Sequence, residues 1–175
     1  MTRRRTRNRA DRAPRAATLG LLTLLCLAFC GPTACSRPKS QEQRVRETIE
    51  QIDAAASAKS ASELRAHISE SYLDAKKRTK ADIAGFITYF IFNQKDVHSF
   101  SIVYDVDLTG VRTARAEVYA ALAATPIKTS SDIPRLHADL WRFDLTLTLE
   151  PDDVWRVSAA DWEPVDLDRL EKVVF

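Results

Sequence analysis

From Phe100 to Ala159 apolar side chains recur at every second position in four successive runs, a period that restricts this half of the chain to β-structure. Phe100, Ile102, Tyr104, Val106 and Leu108 alternate with mostly polar neighbours before Thr109-Gly110 turns the chain, and Ala114, Ala116, Val118, Ala120 and Leu122 alternate on the way back. A polar loop with two prolines, Pro126 to Arg135, separates these from Trp141, Phe143, Leu145, Leu147 and Leu149, the longest apolar row. The turn Pro151-Asp152-Asp153 leads to Trp155, Val157 and Ala159. Hairpin-sized connections between runs of this kind predict an antiparallel four-stranded meander with one buried face.

Ahead of the meander the period is helical. Ser40 with Gln43, Ser60 with Glu63, and Thr79 with Asp82 each place a hydroxyl three residues before an acidic or amide side chain, close to the pattern of a capping box. Behind the first, Val45, Ile49, Ile52 and Ala56 form one apolar stripe; behind the second, Leu64, Ile68 and Tyr72 share a face. The third helix carries Ile83, Phe86, Ile87 and Phe90, widened by Tyr89 and Ile91, which predicts burial on more than one side. Asp166 to Phe175 is read as a short tail whose Leu170, Val173 and Val174 dock on the domain.

Helices followed by strands make an α+β layout, N-terminal helices packed on a curved antiparallel four-stranded meander. This element order, with Val154-Trp155-Arg156-Val157 after an acidic turn, resembles the nuclear transport factor 2-like, cystatin-like cone superfamily over about residues 40–165. The resemblance implies a cone with a cavity between helix and concave sheet. Such cavities serve ligand binding, acid-base catalysis or protein contacts in different members, so the fold does not choose among them.

The N-terminus has a different character. Seven arginines in fifteen residues precede an apolar run, Ala16 to Gly31, and Ser-Arg-Pro-Lys-Ser follows Cys35. A basic region, an apolar region and a small-residue site together form a secretory signal. The Thr33-Ala34-Cys35 ending resembles a bacterial lipobox, with Pro32 where Leu is usual, and implies diacylation of the Cys35 thiol and cleavage just before it. An uncleaved anchor is an alternative, although the run falls short of the roughly twenty residues of a span; a cleaved soluble protein is another. All three place the folded part outside the cytoplasm. The expected division is a signal peptide over 1–34, acylated Cys35 and a tether over 35–40, the domain over 41–165 and the tail over 166–175. Ser36 after the modified Cys, where the inner-membrane retention signal is Asp, implies transfer to the outer membrane, facing the periplasm.

Removing the seven Arg and one Asp of residues 1–35 from the chain's 26 Lys+Arg and 24 Asp+Glu leaves 19 against 23, a net charge of −4 for residues 36–175. The basic balance of the whole chain therefore belongs to the leader, and no nucleic-acid partner is expected. Cys26, Cys30 and Cys35 are the only cysteines, so the domain holds no disulfide and relies on packing. Four glycines provide no phosphate-cradling loop, no spacing such as H-x-x-x-H marks a metal site, and no Ser or Cys nucleophile motif appears; neither cofactor nor metal is expected.

In a continuous meander His98, His137, Asp139 and Asp161 share the inward parity and gather towards one end of the sheet. His98, His137 and Asp139 are read as rim residues, and His67 as a half-buried packing residue. Phe86, Phe90, Tyr104, Trp141, Phe143 and Asp161 are the expected pocket residues, with Trp141 buried and Asp161 pointing a carboxylate into an apolar wall. The resulting reading is a lipid-anchored envelope protein whose cone binds an apolar small molecule or a protein partner without catalysis. Two others compete: a small-molecule isomerase or dehydratase using His and Asp, and a structural partner in an envelope complex. The last, or a homodimer, would use the outward sheet face with Val103, Tyr119, Leu140 and Trp162.

Cys35→Ala should abolish acylation and signal removal, because the thiol is the acceptor. Metabolic labelling with a fatty acid checks this, and undiminished label in the variant would contradict it.

Overall fold

A computed structural model of the chain describes residues 38–93 and 98–174. The leader and Cys35 lie outside the described residues. Helix α1, Gln41–Ser57, starts with a complete capping box: Ser40 Oγ accepts from Gln43 N–H, and Gln43 Oε1 from Ser40 N–H. It buries Val45, Ile49 and Ala55, while Ile52 and Ala56 of the predicted stripe are half-buried. Helix α2, Ala61–Ala66, begins where Ser60 Oγ accepts from Glu63 N–H. It stops before Ile68, so Leu64, Ile68 and Tyr72 are all buried but do not share one helix. Instead the chain after His67 runs beside the sheet as an extended strap. Helix α3, Lys80–Asn93, starts at the Thr79–Asp82 pair. Ile83 is buried, but Phe86 is 51% and Tyr89 69% exposed, so among the described side chains α3 is not buried on several sides as its composition predicts.

The sheet has the order β1-β2-β3-β4, all neighbours antiparallel, with β1 His98–Gly110, β2 Thr113–Ala123, β3 Asp139–Leu149 and β4 Trp155–Pro164. The meander is the predicted one, but two of its strands change phase. In β4 the pairs Leu147↔Val157 and Thr146↔Ala159 leave Ser158 unmatched, a bulge that moves the following side chains to the opposite face. Trp155 and Val157 therefore face inward, and so do Ala160 and Trp162, while Asp161 faces outward, paired with Asp144 rather than Phe143. In β1 the pairs Val103↔Val118 and Asp105↔Glu117 leave Tyr104 unmatched. Ser99, Ser101 and Val103 are the inward residues of its first half. Phe100, Ile102 and Tyr104 belong to the outer face, contrary to the alternation read from the apolar positions.

Both faces of the sheet carry a core. On the concave face Val45, Ile49, Ile68, Tyr72 and Ile83 pack on Val118, Leu147, Leu149, Trp155 and Val157. On the other, Tyr119, Ala121 and Leu140 are covered by Ile133 of a 3-10 helix, Ser130–Arg135, and Leu170 of a C-terminal helix α4, Leu167–Val174. The tail thus docks through Leu170, and as a helix. Its helix covers Tyr119 and Leu140, while Val103 and Trp162 pack on the concave side, so these four do not form the exposed outward patch expected from the alternation.

Trp155 is 2% exposed, and its Nε1–H donates to Gln41 Oε1 at 3.0 Å. Trp141, expected to be the buried one, is only half-buried because it borders the cavity described below. Trp155→Ala should therefore cost about 3–5 kcal/mol and Trp141→Ala distinctly less. Denaturant titrations of both variants check the ranking, and equal losses would contradict it.

Candidate functional site

The helices and strap leave a cavity of about 330 Å³ over the concave face. Small side chains make it: Ala120 stands between Ser101 and Trp141 in the strand register, and Ala160 lies opposite Leu145, so the inward rows do not fill the space under the helices. Phe143 and Phe86 flank Trp162, ring centroids 6.3 and 5.9 Å away, and form an aromatic wall on the α3 side. Ile49, Ile52, Ile68, Ile83 and Val157 complete an apolar lining. A volume of this order is in the range of small-molecule sites.

Polar groups enter the lining mainly from α1, the segment after it and the start of β1. Ser57 Oγ bonds both the N–H and the C=O of Ser99 at 3.2 Å, which fixes the end of α1 to β1. One turn earlier, Asp53 Oδ1 accepts from the Ser99 hydroxyl. The hydroxyl of Ser101, the next inward residue of β1, makes no hydrogen bond among the described residues. Lys59, held at a positive φ of 55° after α1, and His67, which caps α2, also reach the lining. Burial first, then the Arg156 charge, lowers the His67 pKa below its ordinary 6.5, against an opposing pull from Glu63. The imidazole is therefore neutral at pH 7.

At the other end Tyr72, 4% exposed, lines the cavity and donates its O–H to Asp74 Oδ2 at 3.2 Å. Burial and the adjacent Asp74 carboxylate push its pKa up to about 12. Asp74 is itself 5% exposed. Burial opposes its ionisation, yet the N–H groups of Arg78 and Lys76 and the Arg78 guanidinium, Nε at 2.6 Å, outweigh that and hold its pKa below the ordinary 3.8. The guanidinium carbon stands 4.0 Å from the centre of the Trp162 ring. This cluster gives the phenol a protein acceptor for its proton and braces the aromatic wall.

Of the residues expected in the pocket, Phe86, Trp141 and Phe143 line it. The side chain of Phe90 lies outside the described residues. Tyr104 and Asp161 do not line it. Tyr104 packs edge to face on Tyr119 at 6.1 Å on the outer side, and Asp161 is exposed, 3.8 Å from Lys76. His98, His137 and Asp139 do not line it either. His98 lies opposite Ala123 on the outer parity, His137 sits exposed at a left-handed turn position with φ 48°, and Asp139 is exposed at the start of β3. They do not assemble into one inward cluster, because the phase of β1 and the turn at His137 separate them. Asp53, Ser99 and Ser101 were missed, since the two serines occupy the parity that reads as solvent-facing.

No family model matches the chain, and no curated protein is significantly similar to it. Solved structures do match. A domain of unknown function with a cystatin-like fold from Nostoc punctiforme shares 18% identity and a TM-score of 0.54, covering 77% of this chain and 85% of its own. A ketosteroid isomerase-like protein from Erwinia carotovora atroseptica shares 10% identity and a TM-score of 0.54, covering 73% and 98%. A nuclear transport factor 2-like protein of unknown function from Pseudomonas putida shares 14% and a TM-score of 0.52, covering 73% and 89%. The fold is the nuclear transport factor 2-like, cystatin-like cone. Its four-stranded sheet does not close.

The Asp74 carboxylate stabilises the fold only while ionised. Because its folded pKa is lowered, that contribution is present above pH 3.8 and is lost as the pH falls through the folded value. Asp74→Asn should destabilise the protein at pH 7, and the gap from wild type should narrow below pH 3.8. Thermal melts across this range check it; a gap independent of pH would contradict it.

Proposed function

We propose that this protein is a lipid-anchored component of the cell envelope whose cone holds an apolar small molecule and performs no chemistry on it. The observation that carries the binding is the apolar cavity, left open by Ala120 and Ala160 beneath an aromatic wall. The reading as a binder rests on the company of its titratable groups: Tyr72 is engaged by Asp74, Asp53 by Ser99, and neither His67 nor Asp53 hydrogen-bonds the other among the described residues. An acid and a base that act together must each lie within hydrogen-bond reach of the proton they move. The anchoring half rests on the sequence alone, on the basic leader, the apolar run and Thr33-Ala34-Cys35.

A second reading, an isomerase, draws on one specific observation: the neutral imidazole of His67 in the cavity wall is in the state a general base requires. The ketosteroid isomerase-like neighbour shares the fold, which is compatible with either reading.

Titration with N-phenylnaphthylamine, a neutral apolar dye, checks the binding. Saturable fluorescence enhancement is expected, and Ala120→Phe, which puts a ring beside Trp141, should weaken it by about tenfold or more while leaving the fold intact by circular dichroism. Unchanged dye affinity in that variant would place the dye elsewhere and remove the reading.

A further inference from the structure

The cavity is apolar along most of its wall and polar along one edge, where Asp53, Ser99 and Ser101 stand together. Asp53, on α1, presents a carboxylate whose Oδ1 accepts from the Ser99 hydroxyl and whose Oδ2 makes no hydrogen bond among the described residues. Ser99 has given its only hydroxyl proton to that bond, so its remaining capacity is as an acceptor. Its N–H and C=O are both taken by Ser57. Ser101 lies two residues on in β1, on the same inward parity and opposite Ala120, with its hydroxyl unengaged among the described residues. Lys59 also reaches this edge and has an interaction of its own; its ammonium adds a positive charge and donors there but no acceptor. What Asp53 and β1 offer a ligand is therefore a carboxylate oxygen, the lone pairs of Ser99 and the rotatable hydroxyl of Ser101.

A head group that donates several hydrogen bonds and carries positive charge matches this inventory; one that only accepts meets Asp53 with repulsion. A primary ammonium has three donors and no acceptor, and charge-assisted bonds to a carboxylate are about twice as strong as neutral ones. Across the cavity Phe86, Trp141, Phe143 and Trp162 give a compact apolar body its contact. We infer that the ligand is an amphipathic amine, its ammonium held by Asp53 with Ser99 and Ser101 and its apolar body against the aromatic wall. This inference rests on the cavity being a binding site, and it deepens that reading by naming the head group.

Three probes with one apolar body separate the two ideas: adamantylamine, adamantanol and adamantanecarboxylate, titrated against the full chain by calorimetry at neutral pH. The expected order of affinity is amine, alcohol, carboxylate, with about tenfold or more between first and last. Asp53→Asn, nearly isosteric, should cut the amine's affinity by about tenfold and leave that of the alcohol nearly unchanged. Ser101→Ala should weaken the amine by a smaller factor. If the alcohol binds but the three heads rank equally, or the carboxylate ranks first, the amine assignment fails while the cavity stands. If Asp53→Asn leaves the ranking unaltered, or lowers all three alike, the role of Asp53 fails. If no probe of any charge binds, the binding site itself fails with it.

Discussion

In β4 the carbonyl of Val157 accepts from Ser69 N–H at 2.9 Å and its N–H donates to the carbonyl of His67 at 2.9 Å, while the Ser158 carbonyl accepts from Leu73 N–H at 3.0 Å. These bonds tie the strap that follows α2 to the free edge of the sheet, and the unmatched residue in β4 sits where they converge. Ser158 Oγ in turn bonds the Thr146 carbonyl at 3.2 Å and takes a bond from Thr148 at 3.1 Å. A bulge at a sheet edge adds twist, and here the strap satisfies backbone groups that would otherwise stand open to another strand. Its consequence here is the phase of everything after it. Trp162 turns towards the cavity, Asp161 away, and the aromatic wall acquires its central ring.

The strap that fixes β4 also carries the polar support of that wall. Tyr72 and Asp74 lie on it, and Arg78 joins the buried carboxylate to the face of Trp162. A carboxylate so deeply covered is tolerable because backbone N–H groups and a guanidinium surround it. On the outer face a comparable role falls to Arg142, whose guanidinium meets Glu117, Asp144 and Glu163 at 3.1, 2.8 and 3.0 Å. Of these three carboxylates only Glu163 lies beyond the bulge, which turned it outward to meet the guanidinium. The cavity itself is left apolar along all but one edge.

The cavity exists through mismatch in size. Inward rows combine one large side chain with small ones, Trp141 with Ala120, and the helices rest on the large members. Filling such a space would gain packing energy, since interiors otherwise reach the density of organic crystals. The open volume, with the Asp53–Ser99 pair at its edge, is thus the feature of the domain that packing alone does not explain.

How much of this was legible in the chain depends on the range of the interaction involved. The helix starts were, because Ser40 with Gln43 and Thr79 with Asp82 act across three residues. So were the four strands and their order, because a sustained two-residue period with short connections admits few arrangements; the cone came only as what the resemblance to the nuclear transport factor 2-like superfamily implies. The phase slips left a trace that strict alternation passes over. Trp155 and Val157 stand on one parity and Ala160 and Trp162 on the other, and in β1 Ile102 and Val103 are apolar neighbours. Which of two apolar neighbours turns inward is not a local matter; it was decided by the strap on β4 and by α1 against β1. The exposure of α3 and the covering of the outer face by α4 were settled in the same way, since an apolar face fixes that something must be near but not what. The sequence by itself determined the elements and their order, through short-range periodicity and capping. The tertiary structure alone decided which side chains share the cavity, because that rests on single-residue register, which only contacts between distant segments can set.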